Sequence, residues 1–265
     1  MTGGVEARRD PTREEPMRLD GVEVKVSLDS DQTAEAVRAL DLADVTPWKI
    51  FFVEDITTGL CSATPLLDQH LIVRARQKTK GKDDVTIKFR PGRRSQLTDS
   101  WLATSKTTDG ELDSELKVEG DWAGERRVLS ISLTAERPKG LVAAVAAGDR
   151  RVDALLTHDQ TRLVRECAGT LVNLGALTML PAVSAMRWPT FPVPGPGGPA
   201  LDVRAERWTV HDLDFLELSI AVEVRAAQAA QTALIAFVER KGLQPNAGEA
   251  KTTQVLQRLV AEAAC

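Results

Sequence analysis

Closely spaced cationic side chains mark the stretch 71–91 of the sequence. Arg74 and Arg76 alternate with apolar residues in its first half, and Lys88 and Arg90 do so in its second half. Because successive residues of a strand point to opposite faces, the two runs predict a β-hairpin with one apolar and one cationic face. A face of this kind either meets solvent or binds an anion, since guanidinium groups match phosphate oxygens and lysine adds a point charge.

Charged residues two apart recur in other predicted strands, where the opposite face is again aliphatic. Some of these strands carry acid and base on the same face, which gives several candidate site residues. They are Glu23 and Lys25 in 21–28, Glu115, Lys117 and Glu119 in 115–122, Arg187 near the end of 177–188, Glu206 in 202–210, and Glu217 in 215–224. The alternative is an ordinary ion pair at the surface or at a strand end, and a functional role is favoured for Glu23, Lys25 and Glu217.

The composition limits the classes of function. The chain has 265 residues, a net charge of -4 and a pI near 5.6, which argues against a general nucleic-acid or membrane-surface binder. Cys61, Cys167 and Cys265 are far apart, which favours a reduced, cytoplasmic protein without a disulfide framework or thiolate zinc site. No apolar run is long enough for a membrane span, and no glycine-rich phosphate loop is present. We expect a disordered leader over 1–20 and one domain over 21–265, with homodimerisation possible.

The predicted helices need an apolar surface to cover, and the aliphatic faces of the strands provide one. The charged faces would then line the interior of a barrel, which makes the chain an α+β protein with helices packed outside a β-tunnel. Inward-facing lysines and arginines repel one another unless a dense anion or carboxylates neutralise them. Carboxylates can also hold a hard divalent cation, so a polyphosphate with Mg²⁺ or Mn²⁺ satisfies both requirements.

Several segments resemble the motifs of the CYTH superfamily, the triphosphate tunnel metalloenzymes. The segment 21–25 resembles the opening Glu-x-Glu-x-Lys strand, 71–76 the Leu-Arg-x-Arg strand, 86–88 the Thr-x-Lys strand, and 215–219 the late Phe-x-Glu-x-Glu strand. The resemblance implies eight antiparallel strands closed into a tunnel, with triphosphate bound by inward Lys and Arg and metal bound by Glu.

Carried onto this sequence, the resemblance gives three sets of residues. It implies catalytic roles for Glu23, Lys25 and Lys88, phosphate contacts from Lys25, Arg74, Arg76, Lys88, Arg90, Lys117 and Arg187, and metal ligands among Glu23, Glu115, Glu119 and Glu217. The sequence departs from the family pattern at Gly21 and Ser219, which stand where the motifs carry glutamates. Anion binding is therefore better supported than hydrolysis.

Three functions remain open from the sequence. The first is a metal-dependent phosphohydrolase of a triphosphate-containing small molecule, with Lys and Arg neutralising the phosphate oxygens. The second is a binding protein for polyphosphate or a phosphorylated metabolite that has lost the complete metal site. The third is an adenylate cyclase-like activity.

Overall fold

The computed structural model describes residues 18–57, 63–109, 112–195, 197–246 and 251–264, so most of the predicted leader lies outside the described residues. The strands are β1 (Gly21–Leu28), β2 (Thr46–Glu54), β3 (Leu71–Lys78), β4 (Asp83–Phe89), β5 (Lys106–Asp109), β6 (Leu112–Ala123), β7 (Arg126–Arg137), β8 (Thr178–Met179), β9 (Val183–Arg187), β10 (Phe191–Val193), β11 (Leu201–Val210) and β12 (Leu213–Val222). The helices are α1 (Ser30–Ala39), α2 (Pro65–Asp68), α3 (Asp99–Ala103), α4 (Leu141–Ala146), α5 (His158–Cys167), α6 (Ala227–Arg240) and α7 (Lys251–Ala264).

Nine strands of the described chain close into a barrel. Their order around the ring is β1-β12-β11-β9-β2-β3-β4-β7-β6, and β6 returns to pair with β1. All neighbours are antiparallel except β1 and β6, which run parallel with Gly21 opposite Glu119. A closed ring with an odd number of strands cannot alternate in direction throughout, so one parallel pair is unavoidable. The tunnel is therefore confirmed, with nine strands and one parallel pair in place of the expected eight antiparallel strands.

The outer face of the barrel is aliphatic and covered by helices, as the alternation predicted. On one side, outward residues of β3, β4, β6 and β7, such as Ala75 and Ile87, pack against α4 and α5. On the other side, outward residues of β1, β11 and β12, such as Val24 and Leu218, pack against α1 and α6. Burying these residues removes apolar surface from water and leaves the alternate, charged residues facing inward.

The C-terminal helix α7 packs against inward-facing apolar residues at one end of the tunnel. Its Val255 and Leu259 belong to the same buried cluster as Phe52, Ile72 and Trp208, whose side chains alternate with outward residues of β2, β3 and β11. This end of the interior is consequently apolar and closed by α7. Among the helices that the described residues form, none has both the length and the apolar character needed to span a membrane.

Two predicted segments differ in detail. The strand predicted over 177–188 is split into β8 and β9, which is explained by Pro181 because proline cannot donate a ladder hydrogen bond. The proline-rich segment 189–199, predicted to be a loop, contains the short strand β10 paired with β11. Pro192 is tolerated there because β10 lies at the edge of the sheet, outside the barrel ring.

Candidate functional site

The interior of the barrel contains a cavity of about 160 Å³ that is lined almost entirely by polar and charged side chains. Seven strands and α7 contribute to its wall, and five of these strands do so through residues two apart. The charged members are Glu23, Lys25, Arg74, Arg76, Lys88, Arg90, Arg187, Arg204, Glu206, Glu217 and Lys251. The structure thus gathers into one cavity all the predicted phosphate contacts except Lys117.

The predicted hairpin of β3 and β4 supplies the central cations. Arg74 lies opposite Thr86, and Ile72 lies opposite Lys88, so cations from the two strands alternate in height along the tunnel. Arg90 follows at the end of β4 and also lines the cavity. The cationic face of the hairpin therefore meets an enclosed space and not bulk solvent.

Asp121 on β6 is the main counter-charge at one side of this cationic group. Its carboxylate is fully buried and accepts hydrogen bonds from Lys25 at 2.8 Å, Arg90 at 3.3 Å and Lys88 at 3.5 Å. Arg126 donates to the other carboxylate oxygen at 3.3 Å. Burial alone would raise the pKa of Asp121, but Lys25, Lys88 and Arg90 hold it well below its usual value.

Glu23 and Lys25 form an ion pair along β1. Nζ of Lys25 lies 2.8 Å from Oε2 of Glu23, so the ammonium lies between Glu23 and Asp121. Burial opposes ionisation of Glu23, yet Lys25 and Lys88 lower its pKa to about 2. Burial likewise opposes the charge on Lys25, but Glu23 and Asp121 raise its pKa. Both side chains are therefore charged at neutral pH.

Arg74 is a buried cation with an unsatisfied hydrogen-bond donor. Its Nε atom is buried and has no hydrogen-bond partner among the described residues. Burial, together with the neighbouring Arg76, lowers the pKa of Arg74 to about 10. Leaving a buried donor of a charged group unsatisfied is unfavourable. An anion that enters the cavity and accepts a hydrogen bond from this Nε atom would remove that cost.

Arg76 and Arg187 lie on the same side of the tunnel and have partners. Nε of Arg76 donates to Asp84 at 2.6 Å. The guanidinium carbon atoms of Arg76 and Arg187 lie 5.4 and 4.9 Å from the centroid of the Trp48 ring. These contacts fix the two planar groups in position through charge pairing and cation–π attraction.

Lys251, the first residue of α7, reaches into the cavity from the closed end. Its Nζ lies 2.9 Å from Oε1 of Glu217 and 4.1 Å from the centroid of the Trp208 ring. Trp208 in turn donates a hydrogen bond from its indole nitrogen to Glu206. Burial would raise the pKa of Glu206, but Lys251 and Arg74 lower it. Lys251 thus interacts with carboxylates of both β11 and β12.

Lys88 differs from the other lysines of the site. Burial lowers its pKa to about 8, and the positive charge of Lys25 contributes to the same shift. Its ammonium therefore loses its proton more easily than that of an ordinary lysine, unless an anion is bound beside it.

Three predicted residues of β6 do not reach the cavity. Glu115 and Lys117 form a half-exposed pair at 3.5 Å with each other, and Glu119 is partly buried. Burial and the nearby charge of Glu23 raise the pKa of Glu119. These residues share the inward face of β6 with Asp121, but they are not among the described residues that line the cavity.

The predicted metal ligands are not grouped among the described residues. In that part of the chain, no three His, Cys, Asp or Glu side chains are placed so as to hold a metal ion. Three of the four predicted ligands contact ammonium groups: Glu23 contacts Lys25, Glu217 contacts Lys251, and Glu115 contacts Lys117. The donor set present does not fit a divalent cation, which requires several carboxylate or carbonyl oxygens converging on one point.

Sequence reasoning missed several charged residues of the site, among them Asp121, Arg204 and Lys251. Asp121 follows Glu119 at the same spacing of two, so extending the alternation of β6 by one step would have found it. Lys251 carries no such signal, because it begins a helix that is remote in sequence from every strand motif. Only the packing of α7 on the inward apolar residues brings it to the cavity.

Comparison with known proteins gives a likeness in structure alone. No protein-family model and no curated protein matches the chain. A proposed adenylyl cyclase from Hippeastrum, described as having a dominant triphosphatase activity, superposes with a TM-score of 0.57 and 14% identity over 90% of this chain and 95% of that one. A proposed adenylate cyclase from Bacillus halodurans superposes with a TM-score of 0.54 and 9% identity over 88% of this chain and 96% of that one.

Proposed function

We propose that this chain, which has the CYTH-like tunnel fold, binds the polyphosphate portion of a small molecule inside its barrel. The observation that carries the proposal is the imbalance of charge in the cavity. Among the described residues, eight lysines and arginines line the wall against three glutamates, and Asp84 and Asp121 add two buried counter-charges. These groups leave a net excess of three positive charges.

An enclosed excess of positive charge is costly unless an anion neutralises it, because the interior screens charges far less than water does. A triphosphate group offers several negative charges in a narrow chain. Arginine forks from β3 and ammonium groups from β1, β4 and α7 would each contact different oxygens of that chain. The small cavity favours the phosphates themselves over a bulky polymer such as a nucleic acid.

Calorimetric titration of the full chain tests this proposal. We expect saturable binding of tripolyphosphate, at least tenfold tighter than that of orthophosphate, since a longer chain reaches more cations. ATP and thiamine triphosphate are titrated alongside to show which organic group attached to the triphosphate the site prefers. A chain that shows neither binding heat nor thermal stabilisation with millimolar tripolyphosphate would refute the proposal.

Hydrolysis of a triphosphate is a second candidate, favoured by the triphosphatase activity described for the structural neighbour from Hippeastrum. In this chain, Lys25, Arg74 and Lys88 would stabilise the charge that develops on the transferred phosphoryl group. Incubation with tripolyphosphate or ATP, followed by measurement of released phosphate and of cyclic nucleotide, separates turnover and cyclisation from binding alone. Release that is lost in Lys88→Met but kept in Lys49→Met, on the exposed side of β2, would support catalysis.

A further inference from the structure

Two buried lysines stand beside the carboxylates of the tunnel. Lys25 lies between Glu23 and Asp121, at 2.8 Å from each. Lys251 lies 2.9 Å from Glu217 and is the first influence, after burial itself, on the ionisation of Glu206. Every carboxylate of the cavity wall therefore interacts with an ammonium group that belongs to the chain.

Each ammonium group is positioned by more than one element. Lys25 comes from β1 and is matched by Asp121 of β6 across the parallel pair of strands. Lys251 comes from α7, rests on the face of Trp208, and is only 8% exposed. Both lysines are thus fixed inside the barrel and cannot swing into solvent without leaving buried carboxylates unpaired.

We infer that Lys25 and Lys251 serve as built-in counter-cations, so that this tunnel binds polyphosphate without a divalent metal ion. The inference rests on the polyphosphate-binding function proposed above and concerns how that site is charged. A divalent ion bound by Glu23 or by Glu217 would lie beside an ammonium group of the chain, and the repulsion between the two positive charges opposes its binding.

The geometry of Lys251 leaves it able to serve a ligand. Its Nζ lies 2.9 Å from Glu217 in an ion pair, but it makes no hydrogen bond of good geometry with a described group. An ammonium group has three donors, so the contact with Glu217 leaves others for a ligand. A phosphate oxygen entering the cavity can therefore accept from Lys251, as it can from the unsatisfied Nε of Arg74.

Titration of tripolyphosphate with and without metal tests the inference directly. We expect the dissociation constant of tripolyphosphate in EDTA to be no more than threefold higher than the value in excess Mn²⁺. Binding that is more than threefold tighter with Mn²⁺ overturns the inference and leaves the proposed function standing. Absence of binding under both conditions instead refutes the proposed function, so the two failures are distinguishable.

Two substitutions distinguish a site in which lysines neutralise the carboxylates from a site in which a metal ion does so. Lys251→Met removes the ammonium group and should weaken tripolyphosphate binding in EDTA at least tenfold, while the exposed control Lys49→Met should not. Glu217→Gln removes a negative charge near the ligand, so affinity in EDTA should be unchanged or increased. A loss of affinity in Glu217→Gln that requires Mn²⁺ to be observed would identify Glu217 as a metal ligand and overturn the inference. Circular dichroism and thermal melting verify that each variant is folded. If Lys251→Met does not fold, Lys251→Arg replaces it in the test. This variant keeps the charge and should bind tripolyphosphate within tenfold of the unchanged protein.

Discussion

The ammonium group of Lys25 lies 2.8 Å from Oδ2 of Asp121, across the parallel pair of strands β1 and β6, in which Asp121 is in register with Glu23. Asp121 also forms ion pairs with Lys88, Arg90 and Arg126, so one carboxylate is shared by four cations. The strand pair that closes the barrel is therefore also where the positive charge of the tunnel is most strongly neutralised. The closure of the fold and the electrostatics of the cavity depend on the same carboxylate.

Replacement of Asp121 by Asn should destabilise the empty protein strongly. The substitution keeps the shape but removes the charge partner of Lys88, Arg90 and Arg126 and leaves Lys25 with Glu23 alone. Loss of one member of a buried ion pair costs about 3–5 kcal/mol. Denaturant unfolding of Asp121→Asn measures the loss, and exposed Asp149→Asn serves as the control. Tripolyphosphate should raise the melting temperature of Asp121→Asn more than that of the unchanged protein, because the anion replaces part of the missing charge. An equal rise in both proteins would contradict the proposed role of Asp121.

Arg74 and Arg76 are neighbours on one strand face, yet their replacement by Met should have opposite effects on stability. Arg74 has an unsatisfied buried donor, so Arg74→Met removes a penalty of about 1–3 kcal/mol and should raise the melting temperature without ligand. Arg76→Met breaks the contact with Asp84 and should lower it. Both variants should bind tripolyphosphate at least tenfold more weakly. The prediction fails if Arg74→Met is destabilised as much as Arg76→Met.

The alternation of single strands was enough to predict a charged interior under an aliphatic exterior. Arg74, Arg76 and Lys88 could be assigned to one face because the period of two is strict in β3 and β4. The capping box of Thr157 and Gln160 at the start of α5 is likewise a feature of residues three apart in the sequence. Such features depend on residues close in sequence, whose geometry the backbone fixes locally.

Long-range pairing could not be predicted in the same way. The ninth strand and the parallel pairing of β1 with β6 depend on how the ring closes, and no local pattern reports this. The contacts of the predicted metal ligands illustrate the same limit, since no local pattern indicates that Lys251 contacts Glu217. The partner of a buried charge is chosen by tertiary packing, and Lys251 shows this most clearly.

The lowered pKa of Lys88 predicts how affinity depends on pH. Because burial and Lys25 lower this pKa to about 8, the empty site loses the ammonium proton as the pH rises through 8, whereas bound polyphosphate favours the charged form. At pH 9 only about one tenth of the empty protein carries that charge, so affinity should fall about tenfold relative to Lys88→Arg, in which the charge persists. Without ligand, stability should rise with pH between about 8 and the ordinary lysine value, since the unfolded chain binds more protons in that range.

Titrations of tripolyphosphate at pH 7, 8 and 9 into the unchanged protein, Lys88→Arg and Lys88→Met measure this dependence. Protonation of the ligand is common to all three proteins and cancels when their affinities are divided. The ratio of the unchanged protein to Lys88→Arg should fall across the range, while the affinity of Lys88→Met should be low at each pH. Parallel profiles for the unchanged protein and Lys88→Arg would mean that Lys88 stays charged throughout, and that the cavity stabilises its ammonium group even when no anion is bound.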